Sequence, residues 1–394
     1  MKRICHIIFE HRIFDGRIFF KEAVSLAKNG FEVILLVPTI DKRSLGLKKE
    51  IPLPNNKIYE SKGIKFQTYY YNKKLPKQFN IRQYFCLRNL LKKLIQIDAD
   101  VYHFHEDGIT LEMAAQLKVV MPGKKLVFDF HEFFIHSYRE KKKKINRINE
   151  YIKLENEIVK QADLIITVTD FITAYYKTLC QCPIITLFNC QSERIFPTTK
   201  ESATDDGIFW VVNEGRLLFD RGLKLIIEVA QRLKHSNIKF LIIGNLPKAE
   251  ERYFQNKTKQ YQIKDKFHVT GFLPYQEVPL WLKKGKVGLT FMLSDNAKTT
   301  ISNKFFNYLR FGIPVLSLSH PIIDDIMREY KLGYIFDENE AKEIAAQIEE
   351  LYHNKKLHLK LSNNVRKAFK TTFNWEKMEQ RLLAAYNSMI KVGI

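Results

Sequence analysis

The sequence predicts an α/β chain built from two Rossmann-like, doubly wound domains facing a cleft. Three observations predict it. At 394 residues the chain is longer than one ordinary hydrophobic core organises. Short β-rich runs alternate with amphipathic helical stretches from end to end, the pattern of parallel sheets covered by helices. The alternation then restarts near residue 208, after a polar stretch, Gln191–Gly207, that reads as a linker.

Ile4–Phe9 reads as the first strand and Arg17–Lys28 as the first helix. Glu32–Val37 is the next strand, beyond the turn at Asn29-Gly30. Strands Lys65–Tyr71, Val101–His105, Leu126–Phe130 and Leu164–Thr169 follow. Between them lie helices Ile81–Ile97, Ile109–Val119 and a basic one near Lys142–Gln161. The second half reads as strands Ile208–Asn213, Lys239–Gly244, Lys266–Thr270, Val287–Leu293 and Pro314–Leu318. Its helices are Gly222–Lys234, Ala249–Tyr261, Asn303–Phe311 and a terminal group from Glu340 onward. The expected division is a first domain over 1–190, a linker over 191–207 and a second domain over 208–375. A last helix, 376–394, is expected to return to the first domain. In such sheets ligands bind beyond the carboxyl ends of the strands.

Composition removes several classes. Hydrophobic residues at 45% and charged residues at 27% are globular values, and 16 Gly with 12 Pro exclude a collagen-like chain. No apolar run reaches the roughly 18 residues of a membrane span. Glu10, His11 and Arg12 interrupt the apolar opening too early for a secretory signal, so a cytoplasmic chain is expected. Five cysteines, at 5, 86, 180, 182 and 190, form no CxxC pair and are expected to be buried reduced thiols. The net charge is +21, of which +13 falls in residues 1–200. That excess points to polyanionic partners: nucleic acid, acidic lipid headgroups or phosphorylated substrates.

Candidate chemistry sits at the strand ends. Glu10-His-Arg-Ile-Phe-Asp-Gly-Arg17 follows the first strand, with Gly16 in a turn where backbone can approach a ligand. It is not GxGxxG, so a nicotinamide cofactor is unsupported. Two later strands end in His103-Phe-His105-Glu106 and Asp129-Phe-His131-Glu132, histidine–acid pairs at matching topological positions. Their spacing matches no zinc motif, and no metal is expected. In the second half, Gly215-Arg216 and Arg221-Gly222 put two guanidinium groups around a turn that opens a helix, which suits a pyrophosphate. The segment from Ile301 starts a helix with Ser302 or Asn303 as cap and carries Lys304 and Asn307 on its polar face. Asp324-Asp325 reads as helix surface.

Taken in order, these motifs resemble the family-4 retaining glycosyltransferases of the GT-B fold. The resemblance rests on the Gly16 turn, His105-Glu106, His131-Glu132 and Ala162-Asp-Leu-Ile-Ile-Thr-Val-Thr169. It continues through Gly215-Arg216, Arg221-Gly222, Gly271-Phe-Leu, Asn303-Lys-Phe-Phe, Gly312-Ile-Pro-Val and Phe373-Asn-Trp375. It implies transfer of a sugar from a nucleotide-sugar donor, a UDP- or GDP-sugar as substrate, with retained anomeric configuration and no cofactor. Arg216 and Arg221 would hold the leaving diphosphate, with Arg221 where the family usually has Lys. His131 would lie near the transferred sugar, and His105, Glu106 and Glu132 on the acceptor or sugar side. Gly16, Gly215, Gly244, Thr299, Ser302, Asn303, Lys304 and Asn307 would line the donor site. One departure stands out. The family carries two Glu residues here, the second usually binding the donor ribose, and this chain has Thr299 and Asn307 in their places. Weaker donor binding or altered donor choice is expected from that loss.

Lys57–Lys93 holds ten basic residues against one acid, and Arg139–Arg147 six bases in nine residues. Both interleave with apolar residues, which suggests docking on an anionic membrane surface at the inner face of the cytoplasmic membrane. A lipid-linked or oligosaccharide acceptor of bacterial cell-surface polysaccharide or lipopolysaccharide assembly would suit. The competing readings are a catalytically degenerate GT-B partner subunit, a nucleotide-sugar epimerase and a basic nucleic-acid-binding protein. The last is the weakest, because no RRM, zinc-finger or KH pattern is present, and no nucleic-acid partner is expected.

Overall fold

The structure is a computed structural model that describes residues 1–9, 11, 13–39, 59–70, 81–105, 108–133, 145–194, 206–274, 277–294 and 299–391. The chain divides into two compact units: Met1–Phe188 with Glu379–Ile394, and Asn189–Met378.

The first unit is an eight-stranded sheet of β1 (Arg3–Ile7), β2 (Glu32–Thr39), β3 (Tyr59–Ser61), β4 (Ile64–Tyr70), β5 (Val101–His105), β6 (Lys125–Phe130), β7 (Leu164–Thr167) and β8 (Ile184–Thr186). Its order is β3-β4-β2-β1-β5-β6-β7-β8, parallel throughout except for β3 against β4. The central strands are rich in buried apolar residues, as strands covered on both faces are, with His6, His103, His105 and Asp129 as buried polar exceptions. Ile4, Ile7, Val101, Phe104, Val127 and Phe128 are all buried. The predicted helix over Arg17–Lys28 is not uniform. A π-helical stretch, Ile18–Ala23, leads into α1 (Val24–Lys28), and Glu22 N–H donates to the carbonyl five residues back, at Arg17. Residues five apart diverge on a regular α-helix. The wider π turn brings Arg17 and Glu22 inward together, and both are buried.

Helices α2 (Ile81–Ile97), α3 (Gly108–Val120), α4 (Ile145–Val159) and α5 (Asp170–Lys177) complete the unit. On α2 the apolar stripe of Leu87, Leu90, Leu94 and Ile97 lies in the core, while Arg88 and Lys92 are exposed. Among the described residues, the leucines that the sequence offered to a membrane are therefore used in folding, while Arg88, Lys92 and Ile95 stay exposed. The Arg139–Arg147 segment falls outside the described residues as far as its side chains go, as does Cys86. Cys5 and Cys190 are buried thiols as expected. Cys180 and Cys182 are not: both are half-buried free thiols, with their sulfurs 3.1 Å apart in a thiol–thiol hydrogen bond. Among the described residues, no helix is long and apolar enough to cross a membrane.

The second unit is a six-stranded, all-parallel sheet in the order β11-β10-β9-β12-β13-β14. Its strands are β9 (Phe209–Glu214), β10 (Ile238–Ile243), β11 (Phe267–Val269), β12 (Gly285–Thr290), β13 (Val315–Leu318) and β14 (Gly333–Phe336). Its first strand lies centrally, so the chain moves outward to β10 on one side and later returns to β12 on the other. Among the helices are α6 (Leu223–Arg232), α7 (Lys248–Gln260), α8 (Val278–Leu282) and α9 (Asn303–Phe311). Helices α10 (Ile323–Tyr330), α11 (Ala341–His353) and α12 (Lys355–Thr371) follow, and α13 (Trp375–Lys391) begins in this unit and ends in the first. At the start of α10, Asp324 is not a surface residue. It is buried and accepts from Ser319 Oγ and His320 N–H, whereas Asp325 is exposed.

Candidate functional site

In the first unit the register of three central strands assembles a polar cluster. His6 of β1 pairs with His103 of β5, and His105 of β5 pairs with Asp129 of β6. Successive histidines two residues apart share one face of a strand, so His103 and His105 both meet His6. His6 Nδ1 lies 2.9 Å from His105 Nε2, and His103 Nδ1 lies 2.8 Å from the hydroxyl of Tyr386. His131, just past β6, has Nε2 2.6 Å from Asp129 Oδ2 and 3.4 Å from His105 Nδ1. Asp129 is fixed from its other side by Arg17, whose Nε and Nη2 donate at 3.1 and 2.9 Å. Arg17 Nη1 donates to the Leu187 carbonyl at 2.7 Å, and Nε also lies 2.7 Å from Glu22 Oε1 as an ion pair.

Burial works against ionised Asp129, but Arg17 and then His131 and His105 outweigh it and hold its carboxyl well below the usual range. Burial lowers His105 to about 4, and His6 and His103 are pushed down for the same reason, so these rings are neutral at pH 7. Glu22 is driven up by burial and by Asp129. His131 is the member that reaches the surface, its side chain 12% exposed. A carboxylate–histidine pair of this kind can orient a ring and stabilise positive charge on it.

Two sets here have atoms close enough to hold a metal: His6, Glu22, His103 and His105, and His105, Asp129 and His131. The carboxylates of both sets already face the Arg17 guanidinium, which supplies the positive charge an ion would otherwise bring. Glu132 is exposed, and Glu106 lies outside the described residues. Gly16 is in the turn before the π-helical stretch, and a Cβ there would meet nothing within 4 Å. The fold does not require glycine at that point. Sequence reasoning passed over His6, Arg17 and Glu22 as functional candidates and gave Asp129 only as part of the strand-end motif. The alignment of β1 with β5 is the signal that would have joined His6 to His103.

In the second unit the ends of β9 and β10 carry Gly215 and Gly244. Gly244 has φ +152°, and a Cβ on it would sit 2.3 Å from the Gly215 carbonyl oxygen. Only glycine lets these two turns approach so closely. Arg216 is exposed and Arg221 half-buried on the turn that follows, and neither is in an ion pair among the described residues. Ser302 occupies the N-cap of α9 with extended backbone but makes no side-chain cap bond. Asn303 accepts from Asn189 Nδ2 at 2.9 Å, and Thr299 is buried.

Lys304 and Asn307, expected on the polar face of the helix, are buried, at 4% and 5% exposure. The cause is their partners on β9. Lys304 Nζ donates to Asn213 Oδ1 at 2.9 Å, and Asn307 Nδ2 lies 2.6 and 2.8 Å from the two carboxylate oxygens of Glu214. Burial and, secondarily, Arg221 bring Lys304 down to about 8. Burial raises Glu214, with Asn307 opposing the rise. Glu214 is the residue of this cluster that sequence reasoning missed, because a carboxylate at a strand end is ordinary until its neighbour is known.

Two parallel-sheet units, with polar side chains gathered at the carboxyl ends of their central strands, are the architecture of the GT-B fold. Family profiles match both units in turn: "Glycosyltransferase Family 4" over residues 17–189 and "Glycosyl transferases group 1" over residues 197–368. The chain belongs to the family-4, group 1 glycosyltransferases. It is 26% identical over 259 residues to a putative colanic acid biosynthesis glycosyltransferase of Salmonella typhimurium, covering 64% of this chain and 61% of that protein. Its likeness to the Escherichia coli protein of the same description is 26% over 261 residues, with the same coverage. The chain thus spans 61% of the length of these two curated relatives. Among solved structures, sucrose-phosphate synthase from Thermosynechococcus elongatus superposes with a TM-score of 0.76 at 14% identity over the whole of both chains. Anabaena HepE, crystallised with UDP, does so at 0.74 and 12% identity, covering 98% of this chain and 100% of that one. At such identities these likenesses concern the fold.

Proposed function

We propose that the chain is a retaining, metal-independent glycosyltransferase acting in polysaccharide assembly. It would move a sugar from a UDP- or GDP-sugar to a saccharide or lipid-linked acceptor without a cofactor. The observation that carries this reading is the end of the second sheet. There the Gly215–Gly244 approach clears the backbone, Arg216 and Arg221 lie outside any ion pair among the described residues, and the α9 N-terminus adds its amides. Such a place favours a diphosphate. In the transfer the bond from the anomeric carbon to the diphosphate oxygen breaks, one to the acceptor oxygen forms, and the acceptor hydroxyl's proton passes to the departing diphosphate. The guanidinium groups and amides stabilise the charge that gathers on the leaving diphosphate. On this reading the first unit takes the acceptor, and the Asp129–His131 pair serves hydroxyl groups there. The name of the Anabaena neighbour's complex with UDP-glucose, and the colanic acid relatives, support donor and pathway class.

The test is release of nucleoside diphosphate from UDP-, GDP- and ADP-sugars by the full chain, with and without saccharide and lipid-linked acceptors and with EDTA. Acceptor-dependent release that EDTA leaves intact, with the product's anomeric configuration retained by NMR, is expected. Sugar isomerisation without acceptor would mark an epimerase. No turnover of any donor would mark a non-catalytic subunit.

A further inference from the structure

We propose that Glu214 recognises the vicinal hydroxyls of the donor's ribose, with Asn307 as the positioning residue that aims its carboxylate. The inference rests on the nucleotide-sugar reading above and deepens it. Glu214 ends β9, the central strand from which the chain moves to β10 on one side and β12 on the other. Ligands of open α/β sheets bind at that reversal.

The chemistry of the pair narrows what the ligand presents. A carboxylate offers about four lone-pair positions, and the Asn307 amide, at 2.6 and 2.8 Å, takes up only the side it faces. No other described side chain bonds to it. Lys304, whose charge opposes the rise of Glu214, makes its hydrogen bond to Asn213 instead. A partly buried carboxylate that a neutral amide holds, with no cation hydrogen-bonded to it among the described residues, is costly for a fold to keep. A glutamine would fill the same structural place without the charge. The remaining oxygens repel phosphate and accept O–H donors, and two adjacent hydroxyls match two carboxylate oxygens. Two residues on, Arg216 begins the turn that suits the anionic part. A ligand with a diol beside a diphosphate satisfies both, and a nucleoside diphosphate has that order of groups. The same end of the sheet holds further unused capacity: buried Asn213 Nδ2 and Thr290 Oγ1 have no hydrogen-bond partner among the described residues. The carboxylate that the sequence seemed to lack at Asn307 is thus present, carried by the strand rather than the helix.

The full chain is titrated calorimetrically with UDP, GDP and ADP and with the 2′,3′-dideoxy form of whichever binds. Loss of the diol is expected to weaken binding about 10- to 100-fold, the range for hydrogen bonds to a charged group. Glu214→Gln should weaken the ribonucleotide by a similar factor and leave the dideoxy form within about twofold. Glu214→Gln combined with Asn307→Glu, which returns the carboxylate to the helix, should restore the preference for the diol. A melting temperature equal to the native one establishes that each variant is folded. If Glu214→Gln keeps the native diol preference, or the double variant fails to restore what the single one lost, this inference alone falls. If the native chain binds none of the three nucleotides, the donor reading falls with it.

Discussion

Replacing Arg17 with methionine is expected to lower the melting transition of the first unit by about 6–20 °C. The guanidinium is 3% exposed and contacts both oxygens of Asp129, the Leu187 carbonyl and Glu22. Methionine approximates its length and supplies none of its donors, so the buried Asp129 carboxylate loses its cation and Glu22 loses a partner. Breaking a buried ion pair from one side costs about 3–5 kcal/mol. In a unit of this size each kcal/mol moves the midpoint by about 2–4 °C. Differential scanning calorimetry at pH 7 reads the shift, and the transition of the second unit should stay in place. The acid limb adds a second reading. Asp129 is held below its ordinary value, so its stabilisation is present above the unfolded carboxylate range and disappears as pH falls toward its folded value. Arg17→Met should therefore flatten the acid dependence as well as lower the plateau. Adding Asp129→Asn and Glu22→Gln, which removes the stranded carboxyl groups, should recover part of the loss. A single variant melting within about 2 °C of the native chain would refute the assignment of Arg17 as the electrostatic centre of this core.

Gly244→Ala should destabilise the second unit by about 2 kcal/mol or more and abolish nucleotide binding. Its Cβ would meet the Gly215 carbonyl at 2.3 Å, and urea titration with calorimetry checks both effects. Arg216→Ala, at an exposed position, should leave the urea midpoint unchanged while weakening nucleoside diphosphate binding at least about tenfold. His131→Ala should reduce acceptor-dependent turnover about 10²- to 10⁴-fold with a much smaller change in melting temperature. Glu155, buried against the Tyr176 hydroxyl, is raised by burial to about 7. Its neutral form is the one the fold favours, so stability falls as pH rises from the unfolded value near 4.5 to about 7. Glu155→Gln should remove that fall, seen as a difference between variant and native denaturation profiles across the window.

The fold was legible because strand-length apolar runs and helix-period stretches alternate without interruption, and because the pattern restarts. The strand-end histidines were legible for the same reason, since position after a β run fixes which end of a parallel sheet a residue occupies. Partners across the sheet were not. Nothing local to Arg17 or Glu22 marks them as buried, and their inward turn depends on a π-helical stretch whose sequence, Ile18–Ala23, reads as an ordinary amphipathic helix. The burial of Lys304 and Asn307 was likewise invisible, because it depends on Asn213 and Glu214, about ninety residues earlier. The basic, apolar face of α2 had two readings on periodicity alone, and the core claims its leucines.

The last helix sets an order of events during synthesis. Leu382 and Tyr386 are completely buried within the first unit, and Tyr386 supplies the hydroxyl that meets His103 Nδ1. Those residues leave the ribosome only after all of the second unit has been translated. The first unit to emerge is therefore the last to be completed, and its histidine row waits for its closing partner while nearly two hundred further residues are made. A nascent chain halted before residue 379 would carry a finished second unit behind an unfinished first one.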